Sequence, residues 1–148
     1  MIEQSNPLII CFILSADIDS LMPWRFIFDP SQPGMRKVLK DHEELALRYF
    51  WDERAEDVGS KQVWTYVNEK LGKDRGISRA TTINFLKSID ELGILESREV
   101  SGKGGYHPVY TAKMDENEFQ RHIAKTIIDS LTRDFPQITK EVLKEFTS

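Results

Sequence analysis

The chain has very little cysteine. Cys11 stands alone, so no internal disulfide can form and no Cys-rich zinc site can assemble. A lone thiol fits a reducing, cytoplasmic compartment. Histidine is nearly as scarce. His42, His107 and His122 are scattered, and none has a metal-ligating side chain three or four positions further on. Each is expected to be a solvated or core imidazole. H-E-x-x-H, C-x-x-C, G-x-S-x-G and the Walker pattern are all missing. No spacing supports a Ser-His-Asp set, and Asp90-Glu91 sits where a helix surface carries solvating charge. The expectation is a protein that is not an enzyme and that takes no cofactor and no metal.

Long hydrophobic runs are missing too. Leu8 to Leu14 holds seven apolar residues, whereas a membrane span needs about 20. No basic residue precedes it, and acidic S-A-D-I-D-S follows, which suits neither a signal peptide nor insertion, so no membrane partner is expected. Three readings stay open for this stretch: an extra strand or short helix capping the core, an arm contacting a second copy, or an extension upstream of a natural start at Met22.

Nor is there an excess of base. The net charge is −4, which taken globally counts against nucleic-acid binding. The charge is unevenly spread, however. Residues 41–57 carry seven acids against Arg48 and Arg54, a net of −5, while residues 58–87 carry Lys61, Lys70, Lys73, Arg75, Arg79 and Lys87 against Glu69 and Asp74, a net of +4. Screening over about 10 Å leaves such a local basic face able to attract phosphate.

The sequence reads as mainly α with a small β-hairpin. Residues 1–40 form an N-terminal arm with a short strand over Trp24–Phe28 and a turn over Asp29–Gly34. Asp41–Asp52 is a helix, with acids in its first turn and Leu47, Phe50 and Trp51 sharing a face. Asp52–Asp57 is a polar loop. Ser60 is placed to cap a second helix, Lys61–Leu71, whose Val63, Val67 and Leu71 face the core. A glycine- and charge-rich turn, Gly72–Gly76, follows. Ser78 then caps a third helix, in which Ile83, Leu86, Ile89 and Leu92 form an apolar stripe and Gly93 ends it.

Two helices joined by a short glycine-containing turn, the second with exposed polar groups, make a helix-turn-helix. On the outward face of that second helix, Arg79, Thr81, Asn84 and Lys87 carry the donors and hydroxyl that read base edges and phosphates, with Thr82 at the edge. Ser60 and Ser78 would contact phosphate at helix starts, and Lys73 and Arg75 would do so from the turn. Strands over Ile94–Val100 and Val109–Met114 flank a mobile Ser101–Pro108 tip, whose Lys103, Tyr106 and His107 would touch the backbone.

Two helices close the chain, Asp115–Phe135 and Ile138–Phe146, separated at Pro136. Their stripe of Phe119, Ile123, Ile127, Leu131, Ile138, Val142 and Phe146 exceeds what so small a domain needs, so it is expected to bury against a second copy. The alternative is that it folds back on its own domain. The whole order is that of a winged helix-turn-helix (41–114) with C-terminal dimerisation helices (115–148). The rival is a winged-helix protein-interaction module without DNA binding, favoured by overall acidity and by apolar Ile83 and Phe85 on the reading helix.

R-Y-F-W-D-E in the first helix, I-S-R-A-T-T-I-N-F-L-K-S-I-D-E-L-G-I-L, G-K-G-G-Y-H-P-V-Y and K-M-D-E-N-E-F together resemble the penicillinase-repressor family (BlaI/MecI type, repressors of β-lactamase and methicillin resistance), especially its archaeal branch. W-R-F-I-F-D-P is similar to the way archaeal members begin. The resemblance covers about residues 24–146. It implies a homodimeric transcriptional regulator, usually a repressor, on double-stranded operator DNA with dyad symmetry. Ile83 stands where those repressors place a polar or basic residue, so their operator sequence does not carry over. Neither does their proteolytic inactivation.

Overall fold

A computed structural model describes residues 26–147. The expected arm before Trp24 therefore lies outside the described residues. The chain is mainly helical, with one two-stranded antiparallel hairpin. Among the described residues it divides into two units, one ending at Lys113 and one starting at Met114. No helix among them is long and apolar enough to cross a membrane.

The first unit opens irregularly. Trp24 and Arg25 are not described, and Phe26–Phe28 run as irregular chain rather than the expected strand. A 3-10 turn, Gly34–Lys37, follows. It delivers Met35, Val38 and Leu39 into the core, so residues read from sequence as an arm belong to the folded unit. Helix α1 spans Asp41–Trp51 and buries Ala46, Leu47 and Phe50, leaving Trp51 half-exposed. Glu43 is buried as well, because its carboxylate reaches back to accept from the Lys40 N–H at 2.8 Å, satisfying an orphan donor of the helix start.

Helix α2 spans Ser60–Leu71. Its cap is Gly59, whose N–H donates to Gln62 Oε1 at 2.9 Å, and Ser60 is the first helical residue. The expected serine cap is thus displaced by one position. Val63 and Val67 are fully buried, and Leu71 is half-exposed. Helix α3 spans Arg79–Glu91 and packs against α2 and the start of the hairpin. It ends in a Schellman motif: the Ile94 N–H donates to Ile89 O at 2.9 Å and the Gly93 N–H to Asp90 O at 3.0 Å. Gly93 has φ +81°, which a side chain would disfavour. Ile89 and Ile94 are both buried there.

Strands β1 (Leu95–Gly102) and β2 (Gly105–Ala112) pair from Leu95↔Ala112 to Gly102↔Gly105. The connection is therefore the two residues Lys103-Gly104, with φ +90° at Gly104. It is not the eight-residue tip expected from sequence. Tyr106, His107 and Pro108 lie within β2. Pro108 is tolerated because its missing N–H would face the edge away from β1, the side on which Tyr110, two residues on, bonds Val58. That Val58–Tyr110 bridge (3.1 and 2.9 Å) joins the α1–α2 loop to the hairpin.

The second unit is a helical pair, α4 (Glu116–Asp134) and α5 (Pro136–Thr147). Asp115 and Glu118 cap α4 reciprocally at 2.8 and 3.0 Å. Pro136 opens α5, at a position where no N–H is needed. Phe119 is 0 % exposed in the single chain, so it is unavailable to a second copy, contrary to expectation. Ile123 and Ile127 are half-exposed. Further along, Leu131, Phe135, Ile138, Val142, Leu143 and Phe146 are exposed, Phe146 by 82 %.

Candidate nucleic-acid interface

The candidate surface is built on the α2–turn–α3 unit. Asn68, on the last full turn of α2, holds Ile77 from both sides of its peptide. The Ile77 N–H donates to Asn68 Oδ1 at 2.9 Å, and Asn68 Nδ2 donates to Ile77 O at 3.2 Å. Trp64 Nε1 donates to the same carbonyl at 2.8 Å. Between the two helices the chain makes a 3-10 turn, Lys73–Arg75. Trp64, Asn68, Gly72 and Gly76 line an open groove of about 470 Å³ behind that turn. These bonds fix where α3 begins and hence which of its residues face outward.

Ser78 caps α3: its Oγ accepts from the Thr81 N–H at 3.1 Å and lies 2.9 Å from the Thr81 hydroxyl. Both hydroxyls are thereby engaged with each other, so Ser78 acts first as a cap. At about 100° per residue, Arg79, Ala80, Ile83, Asn84 and Lys87 fall on one arc of roughly 140°. Arg79, Ala80, Asn84 and Lys87 are exposed, and Ile83 is half-buried. Thr81 is half-buried at the flank.

Thr82 lies on the opposite side with Phe85, Leu86 and Ile89 and is 2 % exposed, so it is a core residue and not a reader. The buried stripe runs one residue earlier than expected, through Thr82 and Phe85 rather than Ile83. Phe85 meets the His42 ring edge-on at 6.4 Å, and so leaves the outer face. Burial, with Lys40 adding to it, holds the His42 imidazole below its ordinary pKa.

No protein-family model, no curated protein and no solved structure matches the chain. The surface must therefore be judged on its own geometry. Lys73, Arg79, Lys87 and Lys103 are exposed cations with no carboxylate partner among the described residues. Arg75 is different. It is bonded to Asp41 at the start of α1, which also takes Arg36. Sequence reasoning missed both Arg36 and this competition, since the partners lie 34 residues apart.

The hairpin brings Lys103 to its turn and leaves Tyr106 78 % exposed on β2. His107 is exposed and lies over Gly102, where an added Cβ would approach its ring to 3.0 Å. The base of the hairpin is tied down. Arg98 Nε and Nη2 donate to the two Asp57 carboxylate oxygens, each at 3.0 Å, and the Asp57 N–H donates to Thr111 Oγ1 at 2.9 Å. The Arg98 guanidinium, with the Thr111 hydroxyl, holds the Asp57 carboxyl below the usual carboxylate range. Ser97 Oγ donates to Asp90 Oδ2 at 2.8 Å, linking β1 to α3. No group of three His, Cys, Asp or Glu that could hold a metal occurs among the described residues.

Proposed function

We propose that the chain is a sequence-specific DNA-binding transcriptional regulator of winged-helix type, acting as a homodimer. In this reading α3 enters the major groove, the β1–β2 hairpin is the wing on the backbone, and α4–α5 pair with a second copy. The observation that carries it is the outer arc of α3. Arg79, Asn84 and Lys87 are exposed on one side of a helix whose start is clamped by Asn68 and Trp64, and their side chains have no partner among the described residues. Guanidinium, amide and ammonium groups on a clamped helix suit direct base readout and phosphate contact. Burial of Phe85 removes one apolar group from that face, and so one support for a protein-interaction module. The resemblance to penicillinase repressors, archaeal branch, adds a cytoplasmic repressor on a dyad operator as the specific form of the proposal.

The test is a fluorescence-anisotropy titration of duplex DNA across a salt series. Each phosphate contact contributes about 0.9 to the slope of log K against log salt. Arg79→Ala with Lys87→Ala should lower affinity at least tenfold and flatten the slope by about 1.8 per chain. Unchanged affinity and slope would remove α3 as the reading face. Failure of the parent chain to bind any duplex at low salt would favour the protein-interaction module.

A further inference from the structure

Arg36 and Arg75 come from separate elements, the 3-10 turn before α1 and the turn before α3, and both bond the carboxylate of Asp41. Arg36 also touches Glu44 through Nε at 3.3 Å, and Glu44 is shared with Arg48 at 3.5 Å. The result is a row of alternating charge, Arg48–Glu44–Arg36–Asp41–Arg75. Asp41 and Glu44 are more buried than the two guanidiniums that flank Asp41, although Arg48, at 27 % exposed, is nearly as buried as the acids. The side chains of Asp41 and Glu44 are 25 % and 23 % exposed, against 41 % for Arg36 and 63 % for Arg75. An anion arriving from solvent therefore meets the two guanidiniums before it meets the carboxylate between them. A phosphodiester offers two anionic oxygens, the same bridging chemistry that Asp41 supplies, and guanidinium binds it in the same forked geometry.

We propose that Arg36 and Arg75 form a site for a DNA backbone phosphate, which the carboxylate of Asp41 fills in the free chain and which DNA takes over on binding. This rests on the DNA-binding reading above. Arg75 sits three residues before the Ser78 cap of α3, so a phosphate held there would flank the groove that α3 enters. Exposed ion pairs of this kind hold weakly, so the exchange is within reach of a polyanion. Asp41 then sets a threshold: binding elsewhere on the duplex must be strong enough to drive the exchange. That lowers affinity for arbitrary duplex.

The experiment uses the full chain and an arbitrary-sequence duplex, followed by anisotropy across a salt series. Asp41→Asn should bind roughly fivefold tighter at low salt, the equivalent of the two weak pairs no longer surrendered. Its salt slope should match the parent's, because the same arginines neutralise the same phosphate in both. The control is Asp74→Asn, which removes the same charge beside Arg75 but breaks no arginine pair; it should bind less than about twofold tighter. Adding Arg75→Ala to Asp41→Asn should abolish the tighter binding. Equal effects from the two neutralisations, or a tightening that survives Arg75→Ala, would overturn the site while leaving DNA binding intact. Loss of all binding in the parent chain would remove the DNA-binding reading and the site together. Should Asp41→Asn fail to fold, Arg36→Ala alone decides the matter, because it must flatten the parent slope; an unchanged slope overturns the site.

Discussion

Thr82→Val should make this protein more stable. Thr82 is 2 % exposed, and its Oγ1 is buried with no hydrogen-bond partner among the described residues. An unpaired buried hydroxyl costs about 1–3 kcal/mol in protein contexts. Valine keeps the same branched shape and nearly the same helix propensity, so neither packing nor backbone should oppose the exchange. The net expectation is a gain of about 1 kcal/mol, or roughly 4–8 °C in Tm for a cooperative unit of 60–100 residues. Urea unfolding followed by far-UV circular dichroism would read it as a higher midpoint with an unchanged m-value. Thr82→Ser is the companion variant. It keeps the hydroxyl and loses only the methyl, so it should fall below the parent. A lower midpoint for Thr82→Val would refute the reasoning, because it would mean the hydroxyl has a partner worth keeping. The same variant should bind DNA within about twofold of the parent, as its side chain is turned from the α3 outer arc. A large loss of binding at unchanged stability would put Thr82 back among the readers.

The remaining expectations concern the clamps and the second unit. Asn68→Ala should cost about 2 kcal/mol by removing both bonds to Ile77, and Asn68→Asp should lose at least the donated half; a midpoint shift under half that size would show the clamp to be incidental. The Asp57 carboxyl is held below its ordinary pKa chiefly by its bond from Arg98, so its contribution is present above the unfolded value near 4 and is lost as pH falls through the lower folded value. Protection of the Val58 and Tyr110 amides from hydrogen exchange, taken relative to the intrinsic rate at each pH, should therefore fall only in acid, and should already be low at neutral pH in Asp57→Asn; identical protection in the two proteins at every pH would remove the clamp. On α5, Ile138→Glu with Val142→Glu should convert a sedimenting dimer to monomer, and a parent chain that sediments as a monomer would refute self-pairing through this stripe.

The helices were legible because each couples a 3.6-residue apolar period to end signals. Ser78 and Gly93 mark the ends of α3 where the structure has them, whereas Asp115, read as the first helical residue, is the cap of α4, and α5 starts at Pro136, two residues before the expected Ile138. Phase within a helix was less legible. Ile83-Leu86-Ile89 and Thr82-Phe85-Leu86-Ile89 both satisfy i+3/i+4 spacing, and only packing against α2 and β1 chooses the second. The cap of α2 was ambiguous for a similar reason, since Gly59 and Ser60 can both cap; the Gln62 side chain reaching back three residues selects glycine. The hairpin looked short because Pro108 and the glycines read as loop, yet a proline whose missing donor faces an edge leaves the β1–β2 ladder whole. Met35, Val38 and Leu39 carry no period at all, being delivered by a 3-10 turn, and so passed as arm.

Charge was the least legible property, and it bears most on function. A sum over residues 58–87 counts Arg75 as available, whereas Asp41 holds it from the acid-rich segment before. The same pairing works in the other direction. Asp41, Glu44, Asp52 and Asp57 are engaged by Arg36, Arg48, Arg75 and Arg98, so the acidic stretch repels a polyanion less than its net of −5 suggests. Fields from exposed charges fade over about 10 Å at moderate salt, and what a duplex meets is the set of unpaired groups within that range. On α3 that set includes Arg79 and Lys87 with Glu91, on the turn Lys73 with Asp74, and on the hairpin Lys103 with Glu96 and Glu99. Four acids thus face the chain's own arginines while Lys73, Arg79, Lys87 and Lys103 face outward, and this local charge is what the proposed DNA contact would use. The overall pI of about 5.4 averages over both populations and so bears on neither.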